Sequence, residues 1–366
     1  MKAMLSLFCV ATLIILNPLH QRITPALPTG VFSLTSGGGN QPIDPAALSN
    51  PDVDGISITQ KWSLLEPSEG VYDWSTLDGF MAQIAPTGKK TLIRIGTMGG
   101  RSYLGGATPD WVMNAVGSNT ITFFDSREAR NVTIPLFWDA TFLAKKKAMI
   151  AAVGARYSSN RLVKIVTASF ANAQSEDWSV PDSATVDGIP PRGSSPASRM
   201  LAAGYTHAKM VDAGTQIMDA IAIAWPRQVI YTAVGRIGAP LLETDVDSVA
   251  RDVRDATRAT WGSSRLVIGK NSISNKMPFA PPALNSVWQI LFESVPAIAG
   301  QNLWFCYQDP AYRMNGGTSG GLTDEQILDA SVDKFVSYNG KWLEIYEKDV
   351  INLPRAITYA HARIGQ

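Results

Sequence analysis

The stretch LVKIVTASF, residues 162–170, is apolar at most positions and rich in β-branched side chains. A short run of this kind, bounded by polar residues, is typical of a parallel strand that is covered on both faces. Seven other runs of similar character are spread along the chain, and segments with helical periodicity lie between them. Strand and helix alternating about eight times over 366 residues predict an α/β fold, a (β/α)8 barrel.

The eight predicted strands are VFSLTS from Val31, DGISITQKW from Asp54, KTLIRIGT from Lys90, LVKIVTASF from Leu162, QVIYTAVG from Gln228, RLVIGKNSIS from Arg265, NLWFCYQD from Asn302 and KWLEIYEKDV from Lys341. An open, doubly wound sheet is the alternative architecture. It has less support because no Gly-x-Gly-x-x-Gly motif follows the first strand, so the sequence gives no sign of a dinucleotide site.

Three of the intervening segments carry helix signals. Residues 138–157 repeat apolar side chains at helical intervals. A second helical segment begins at Pro196, with Ser195 as its candidate N-cap. A third has Thr323 as its N-cap and Gly340 as its stop, with acidic residues in the first turn.

The composition excludes several classes of function. Hydrophobic residues make up 45% of the chain and charged residues 17%, which is typical of a globular protein. A net charge of +1 argues against a nucleic-acid-binding surface. The three His and two Cys residues have no metal-ligand spacing, so we expect neither a metal nor an organic cofactor.

The first 26 residues resemble an export leader. Lys2 supplies a positive start, and the apolar run from Met4 to Leu16 is too short to span a bilayer comfortably. We therefore predict a signal peptide over residues 1–26 with Ala26 as a weak cleavage site, an exported protein (periplasmic or extracellular), and one barrel domain over residues 27–366. An uncleaved leader acting as an anchor is the alternative; no other membrane contact is expected.

Polar and aromatic side chains follow the predicted strands. Active sites of (β/α)8 barrels form at the carboxyl ends of the strands, and a carbohydrate site needs polar groups together with aromatic faces. The candidate substrate-binding residues are Trp62, Arg94, Asn172, Trp178, Asn271, Gln308 and Tyr346.

A family resemblance is carried by WSLLEPSEGVYDWSTLDGFM, residues 62–81, and by TPDWV, residues 108–112. The first stretch is similar to the Trp-x-x-x-Glu-Pro-x-x-Gly-x-Tyr-x-Trp pattern of clan A glycoside hydrolases, especially their β-galactosidase-like branch. The resemblance runs from roughly residue 53 to residue 181. It implies an exported enzyme that cuts β-linked glycosidic bonds in a carbohydrate. Glu66, in the Glu-Pro part of the pattern, is expected to fix its loop.

The resemblance also implies a general acid/base at the end of the fourth strand, where this chain has Glu176. A carboxylic acid can protonate a leaving oxygen when partial burial raises its pKa, and Trp178 could provide an apolar wall. The motif departs from the common Asn-Glu pair, because Ser175 precedes Glu176 and Asn172 lies four residues earlier.

The second carboxylate is harder to place. The resemblance puts it at the end of the seventh strand, where the predicted strand brings Gln308, whose amide is a poor nucleophile. Asp309 and Glu347 are possible substitutes, and Glu344 is favoured because strand alternation turns it into the barrel. A buried Glu344 needs a reason, and the alternative reason is a salt bridge to Arg94 or Lys270.

Three hypotheses follow. The first is a glycoside hydrolase that uses Glu176 and Glu344. The second is a carbohydrate-binding barrel that has lost hydrolysis, which Gln308 supports. A third, a lyase or isomerase with Lys270 or Tyr346 as its base, would give an unsaturated or rearranged product.

Overall fold

The computed structural model of the protein describes residues 25–35, 42–97, 106–125, 130–168, 196–234, 248–308 and 313–365. Eight parallel strands close into a barrel in the order β1-β10-β9-β8-β7-β6-β3-β2, and β4 and β5 form a separate antiparallel hairpin. The predicted (β/α)8 barrel is therefore confirmed, and the open doubly wound sheet is wrong.

The strands in the described residues are β1 (Gly30–Leu34), β2 (Gly55–Lys61), β3 (Lys90–Gly96), β4 (Thr120–Asp125), β5 (Arg130–Pro135), β6 (Val163–Ala168), β7 (Val229–Ala233), β8 (Leu266–Ile273), β9 (Ile298–Asn302) and β10 (Trp342–Tyr346). The helices there are α1 (Pro45–Ser49), α2 (Trp62–Leu65), α3 (Ser75–Ile84), α4 (Asp110–Val116), α5 (Ala140–Tyr157), α6 (Pro196–Ala202), α7 (His207–Ala224), α8 (Ser248–Trp261), α9 (Gln289–Glu293), α10 (Asp324–Ser337), α11 (Glu347–Asn352) and α12 (Pro354–Arg363).

Side-chain alternation divides each barrel strand between two cores. In β10, Trp342 packs inside the barrel, whereas Leu343 and Ile345 pack outward against the helix layer. Side chains alternate in the same way along β1, where Phe32 faces inward and Val31 faces outward. Both faces of the sheet are thus buried, which is why the strands are apolar along most of their length.

The interior of the barrel changes character along its axis. Toward the amino ends of the strands it is filled by apolar side chains such as Phe32, Leu92 and Trp342. One layer nearer the carboxyl ends, the same inward alternation brings polar side chains into the interior. They are Ser57, Arg94, Thr167, Asn271, Gln301 and Glu344. This end of the barrel is therefore the candidate site.

Two sequence-based boundaries need correction. The seventh barrel strand is β9, Ile298–Asn302, so the predicted strand beginning at Asn302 in fact follows it. The helical segment from Pro196 is two helices, α6 and α7, and the side chain of Thr206 caps the second. The predicted cap of α10 is confirmed: Thr323 and Gln326 form a reciprocal capping box.

Within the part of the chain described here, no helix is long and apolar enough to cross a membrane. The predicted signal peptide lies outside the described residues except for its last two positions, so its role stays a prediction.

Candidate active site

Glu344 is the buried carboxylate at the mouth of the barrel. Its side chain is 0% exposed, and its Oε2 atom lies 2.7 Å from Nη2 of Arg94 on β3. The hydroxyl of Ser57 on β2 donates a hydrogen bond to the other carboxylate oxygen, Oε1. The predicted inward orientation of Glu344 is confirmed, and the ion pair with Arg94 confirms the alternative reason given for its burial. Such a pair compensates a charge that would otherwise be costly to bury. A catalytic role for Glu344 stays a prediction.

Gln301 lies beside Glu344 at the end of the seventh barrel strand. The two residues are register partners across β9 and β10, and Gln301 faces inward because it alternates with Ala299 of the inner core. The residue at the end of the seventh barrel strand is therefore Gln301 and not the Gln308 that the sequence predicted. Its side chain is also an amide. Gln308 is an exposed turn residue with a φ of 62°, and its backbone N–H donates to Asp324 Oδ2 over 2.8 Å.

Asn271 reaches the same interior from β8. Its Oδ1 atom accepts a hydrogen bond from the hydroxyl of Tyr231 on β7, at 3.3 Å. Tyr231 leans over Gly269, where an added Cβ would lie 2.3 Å from the tyrosine ring, so only glycine fits there. Strand alternation puts the buried Lys270 on the opposite face from Asn271. Asn271 is thus the better placed of the two for contact with a ligand in the barrel.

Aromatic and cationic side chains gather at the rim, after β9 and at the end of β10. The Trp304 and Phe305 rings are 4.7 Å apart, and Tyr346 packs against both. Arg313 lies over Trp304 and Lys348 over Phe305. These five half-buried residues are called the rim cluster below. Of them, the sequence pointed only to Tyr346 as a binding residue.

Trp62 does not face the barrel mouth. It is fully buried in the helix layer, in contact with Trp111 and Phe142, which is at odds with the expectation that it stacks on a sugar. Its indole Nε1 donates to the carboxylate of Glu66 over 2.7 Å, and the backbone N–H of Gly70 donates to the same carboxylate over 2.8 Å. Glu66 therefore fixes its loop, as predicted.

The other two acidic candidates lie after β10, because the strand predicted to run to Val350 ends at Tyr346 and α11 begins at Glu347. Both hold backbone segments. Asp349 is fully buried and accepts hydrogen bonds from the backbone N–H groups of Cys306 and Tyr307, at 2.8–2.9 Å. Burial raises the pKa of Asp349 to about 6, although these hydrogen bonds oppose the rise. Glu347 accepts the backbone N–H of Asp44 over 3.0 Å. Glu344, in contrast, is bound by side chains inside the barrel.

Four predicted site residues, Asn172, Glu176, Trp178 and Asp309, lie outside the described residues. The roles given to them stay predictions. Ser57 and Gln301 were not predicted from the sequence. The signal for Ser57 is a serine in the alternating run ISIT, and the signal for Gln301 is a glutamine just before the end of a strand.

A family model described as beta-galactosidase matches residues 44–170, about a third of the chain. The predicted resemblance to the β-galactosidase-like branch is confirmed over this part. The match includes Trp62, Glu66 and Arg94, and it ends before Glu176. No curated protein sequence matches the chain.

Among solved structures, the catalytic domain of the β-amylase from Paenibacillus polymyxa is similar with a TM-score of 0.60 at 11% identity, covering 92% of this chain and 98% of that one. A β-galactosidase from the psychrophilic Marinomonas ef1 gives 0.43 at 10% identity, covering 69% and 42%. Xylanase B from Clostridium stercorarium F9 gives 0.43 at 15%, covering 87% and 86%. The first likeness bears on the fold alone, and it agrees with the closed barrel. The prediction of a glycosidase is supported by the family match.

Proposed function

We propose that the protein is a glycoside hydrolase that cleaves a β-linked carbohydrate, with Glu176 as general acid/base and Glu344 as the second carboxylate. The observation that carries the proposal is the position of Glu344, a carboxylate that faces the barrel interior in the polar layer near the carboxyl ends of the strands. The ion pair with Arg94 explains how its charge is buried and does not by itself indicate catalysis. The family match over residues 44–170 supports the same class of reaction.

The setting of Glu344 suits this chemistry. Its negative charge is compensated by a guanidinium, and each carboxylate oxygen keeps a second lone pair besides the one used by Arg94 or Ser57. A carboxylate in this state can act as a nucleophile or as a general base. If the two carboxyl groups lie about 5 Å apart the enzyme retains configuration, and at roughly 6.5–9.5 Å it inverts.

The test is turnover of a panel of aryl β-glycosides by the wild type, Glu176→Gln and Glu344→Gln, with Glu69→Gln as the matched control. Glu69 is an exposed carboxylate paired with Lys145, outside the barrel mouth. We expect each of the first two variants to lose about 10²–10⁴-fold in kcat and the control to keep its activity. Full activity of Glu176→Gln in a folded protein would remove it from the mechanism.

A second candidate function, a carbohydrate-binding barrel without hydrolysis, is favoured by one observation. Gln301 brings an amide to the end of the seventh strand, where the resemblance implies a nucleophilic carboxylate. This alternative predicts sugar binding by calorimetry with no turnover of any glycoside in the panel. Turnover that depends on Glu344 excludes it.

The proposal also includes export through residues 1–26. Fractionation of cells that express the full chain, with a version beginning at residue 27 as control, tests it. Export requires the full chain to leave the cytoplasm and the shortened chain to remain inside.

A further inference from the structure

Two polar residues near the carboxyl ends of the strands face the barrel interior and reach solvent. Thr59 on β2 alternates with Ile58 of the outer core and lies two residues beyond Ser57. Gln301 on β9 alternates with Ala299 of the inner core. Both are half-buried, whereas Ser57 is fully buried. Thr59 and Gln301 are called the open polar pair below.

The open polar pair flanks the buried ion pair of Arg94 and Glu344. Thr59 is the register partner of Arg94 across β2 and β3, and Gln301 is the register partner of Glu344 across β9 and β10. Adjacent strands run about 4.8 Å apart, so each member of the open polar pair lies beside one end of the ion pair. A ligand that enters from the carboxyl ends of the strands, where barrel sites form, therefore meets both members.

The hydrogen-bonding groups of the open polar pair are not used within the protein. The charged groups beside them bind each other, and Ser57 donates to the second carboxylate oxygen of Glu344. Within the described part of the chain, by contrast, neither Thr59 nor Gln301 makes a side-chain hydrogen bond. A threonine hydroxyl offers one donor and two acceptor lone pairs, and a glutamine amide offers two donors and an acceptor oxygen.

These groups match the hydroxyls of a sugar. Each sugar hydroxyl both donates and accepts, so the donor and the acceptor of one primary amide can bind two adjacent hydroxyls of a ring, as an amide binds the donor and acceptor edge of adenine. The amide of Gln301 is no nucleophile, in contrast to a carboxylate at that place. Because Arg94 and Glu344 neutralise each other, the ligand needs no charge of its own.

We propose that the open polar pair determines the specificity of the barrel: Gln301 binds two adjacent hydroxyls of an uncharged sugar ring, and Thr59 binds a further hydroxyl of the same saccharide. The proposal rests on the proposed function, because it takes the bound ligand to be a carbohydrate. It assigns a binding role to the strand end at which the family resemblance implies a nucleophile.

Equilibrium binding to the full chain tests the proposal. The probes are sulfur-linked β-disaccharides of galactose, glucose, mannose and xylose, because a sulfur linkage resists hydrolysis. The disaccharide that binds most tightly is then compared with analogues that each lack one ring hydroxyl. A site that hydrogen-bonds a hydroxyl discriminates against the analogue without it.

Two variants remove hydrogen-bonding groups and keep the approximate shape of the side chains. They are Gln301→Met and Thr59→Val. The matched controls are Gln216→Met and Thr260→Val, because Gln216 lies on α7 and Thr260 on α8, both in the outer helix layer.

We expect the wild type to lose about three- to tenfold in affinity for each analogue that lacks a recognised hydroxyl. Gln301→Met binds the parent disaccharide about tenfold more weakly and no longer distinguishes it from the analogues that lack either of two adjacent hydroxyls. Thr59→Val loses discrimination at one other hydroxyl, and both controls behave as the wild type does. A structural role would not produce this selective loss of discrimination.

An equal loss of affinity for the parent and for every analogue in Gln301→Met would show a structural role and overturn the proposal. A wild type that binds none of the four disaccharides, or that binds the parent and all analogues equally, would overturn it as well, and these measurements decide if the variants do not fold. Turnover of the oxygen-linked parent tests the proposed function separately. Discrimination without turnover would refute hydrolysis and leave the open polar pair standing, whereas turnover without discrimination would do the reverse.

Discussion

Replacing Arg94 with leucine tests whether the polar layer of the barrel depends on its ion pair. Arg94 and Glu344 have side-chain exposures of 4% and 0%, and their charged atoms are 2.7 Å apart. Removing one partner breaks this buried ion pair, which costs about 3–5 kcal/mol. We therefore expect both Arg94→Leu and Glu344→Leu to lower the free energy of unfolding by about that amount.

The double variant is the informative one. With both charges gone, the main loss is the acceptor of the Ser57 hydroxyl, at about 1 kcal/mol, so the double variant should be more stable than either single variant. Urea unfolding followed by tryptophan fluorescence measures all four proteins, since the chain has ten Trp residues. Additive losses in the double variant would refute the reasoning, because they would mean that the two side chains do not compensate each other.

Three further predictions concern stability. The native state holds a proton on Asp349 up to a pKa of about 6, whereas the unfolded chain releases it near 3.8, so the contribution of Asp349 to stability is full below pH 3.8 and is lost as the pH rises through 6. Relative to Asp349→Asn, urea unfolding should show the wild type losing about 2.4 kcal/mol between pH 4 and pH 7. Glu66→Gln turns an amide NH2 toward one of two N–H donors and should cost about 1–3 kcal/mol in the same assay. Gly154→Ala on α5 places a Cβ 2.7 Å from the backbone oxygen of Ala224 and should lower stability by about 1–3 kcal/mol. Gly79→Ala on α3, where no atom lies within 4 Å of the added Cβ, should raise stability by about 0.5–1 kcal/mol. Equal effects at the two glycines would contradict the packing argument.

The architecture was predictable because the barrel strands are buried on both faces. Seven of the eight predicted runs overlap a barrel strand for most of its length, and the exception is β9, whose sequence is IAGQN. Gly300 is needed there because an added Cβ would lie 2.6 Å from Ile273 and 2.9 Å from Phe335. A strand selected for such close packing has weak β-propensity, so the aromatic run that follows it carried the stronger sequence signal.

The site was predictable where its geometry is local. Alternation along one strand is enough to turn Glu344 inward, and the Glu-Pro pattern is enough to place Glu66 in its loop. Ser57 could not be linked to Glu344 in the same way, because 287 positions separate them in the chain and only closure of the barrel brings them together. The rim cluster depends likewise on where β9 ends, which the sequence misplaced.

The register of β9 and β10 bears on the choice between the two proposed functions. Gln301 and Glu344 are direct partners on adjacent strands, which run about 4.8 Å apart. The family resemblance implies a carboxylate on the seventh strand. The amide Gln301 occupies that position, and the carboxylate Glu344 lies beside it on the eighth strand. A Glu side chain is long enough to span much of such a displacement, but Arg94 reaches Glu344 from β3, on the far side of β1 and β2. The ion pair therefore crosses the barrel interior at this level. Hydrolysis requires the reacting carbon to reach a Glu344 oxygen beside this ion pair, whereas binding alone requires only that Gln301 and Glu344 offer hydrogen bonds to sugar hydroxyls.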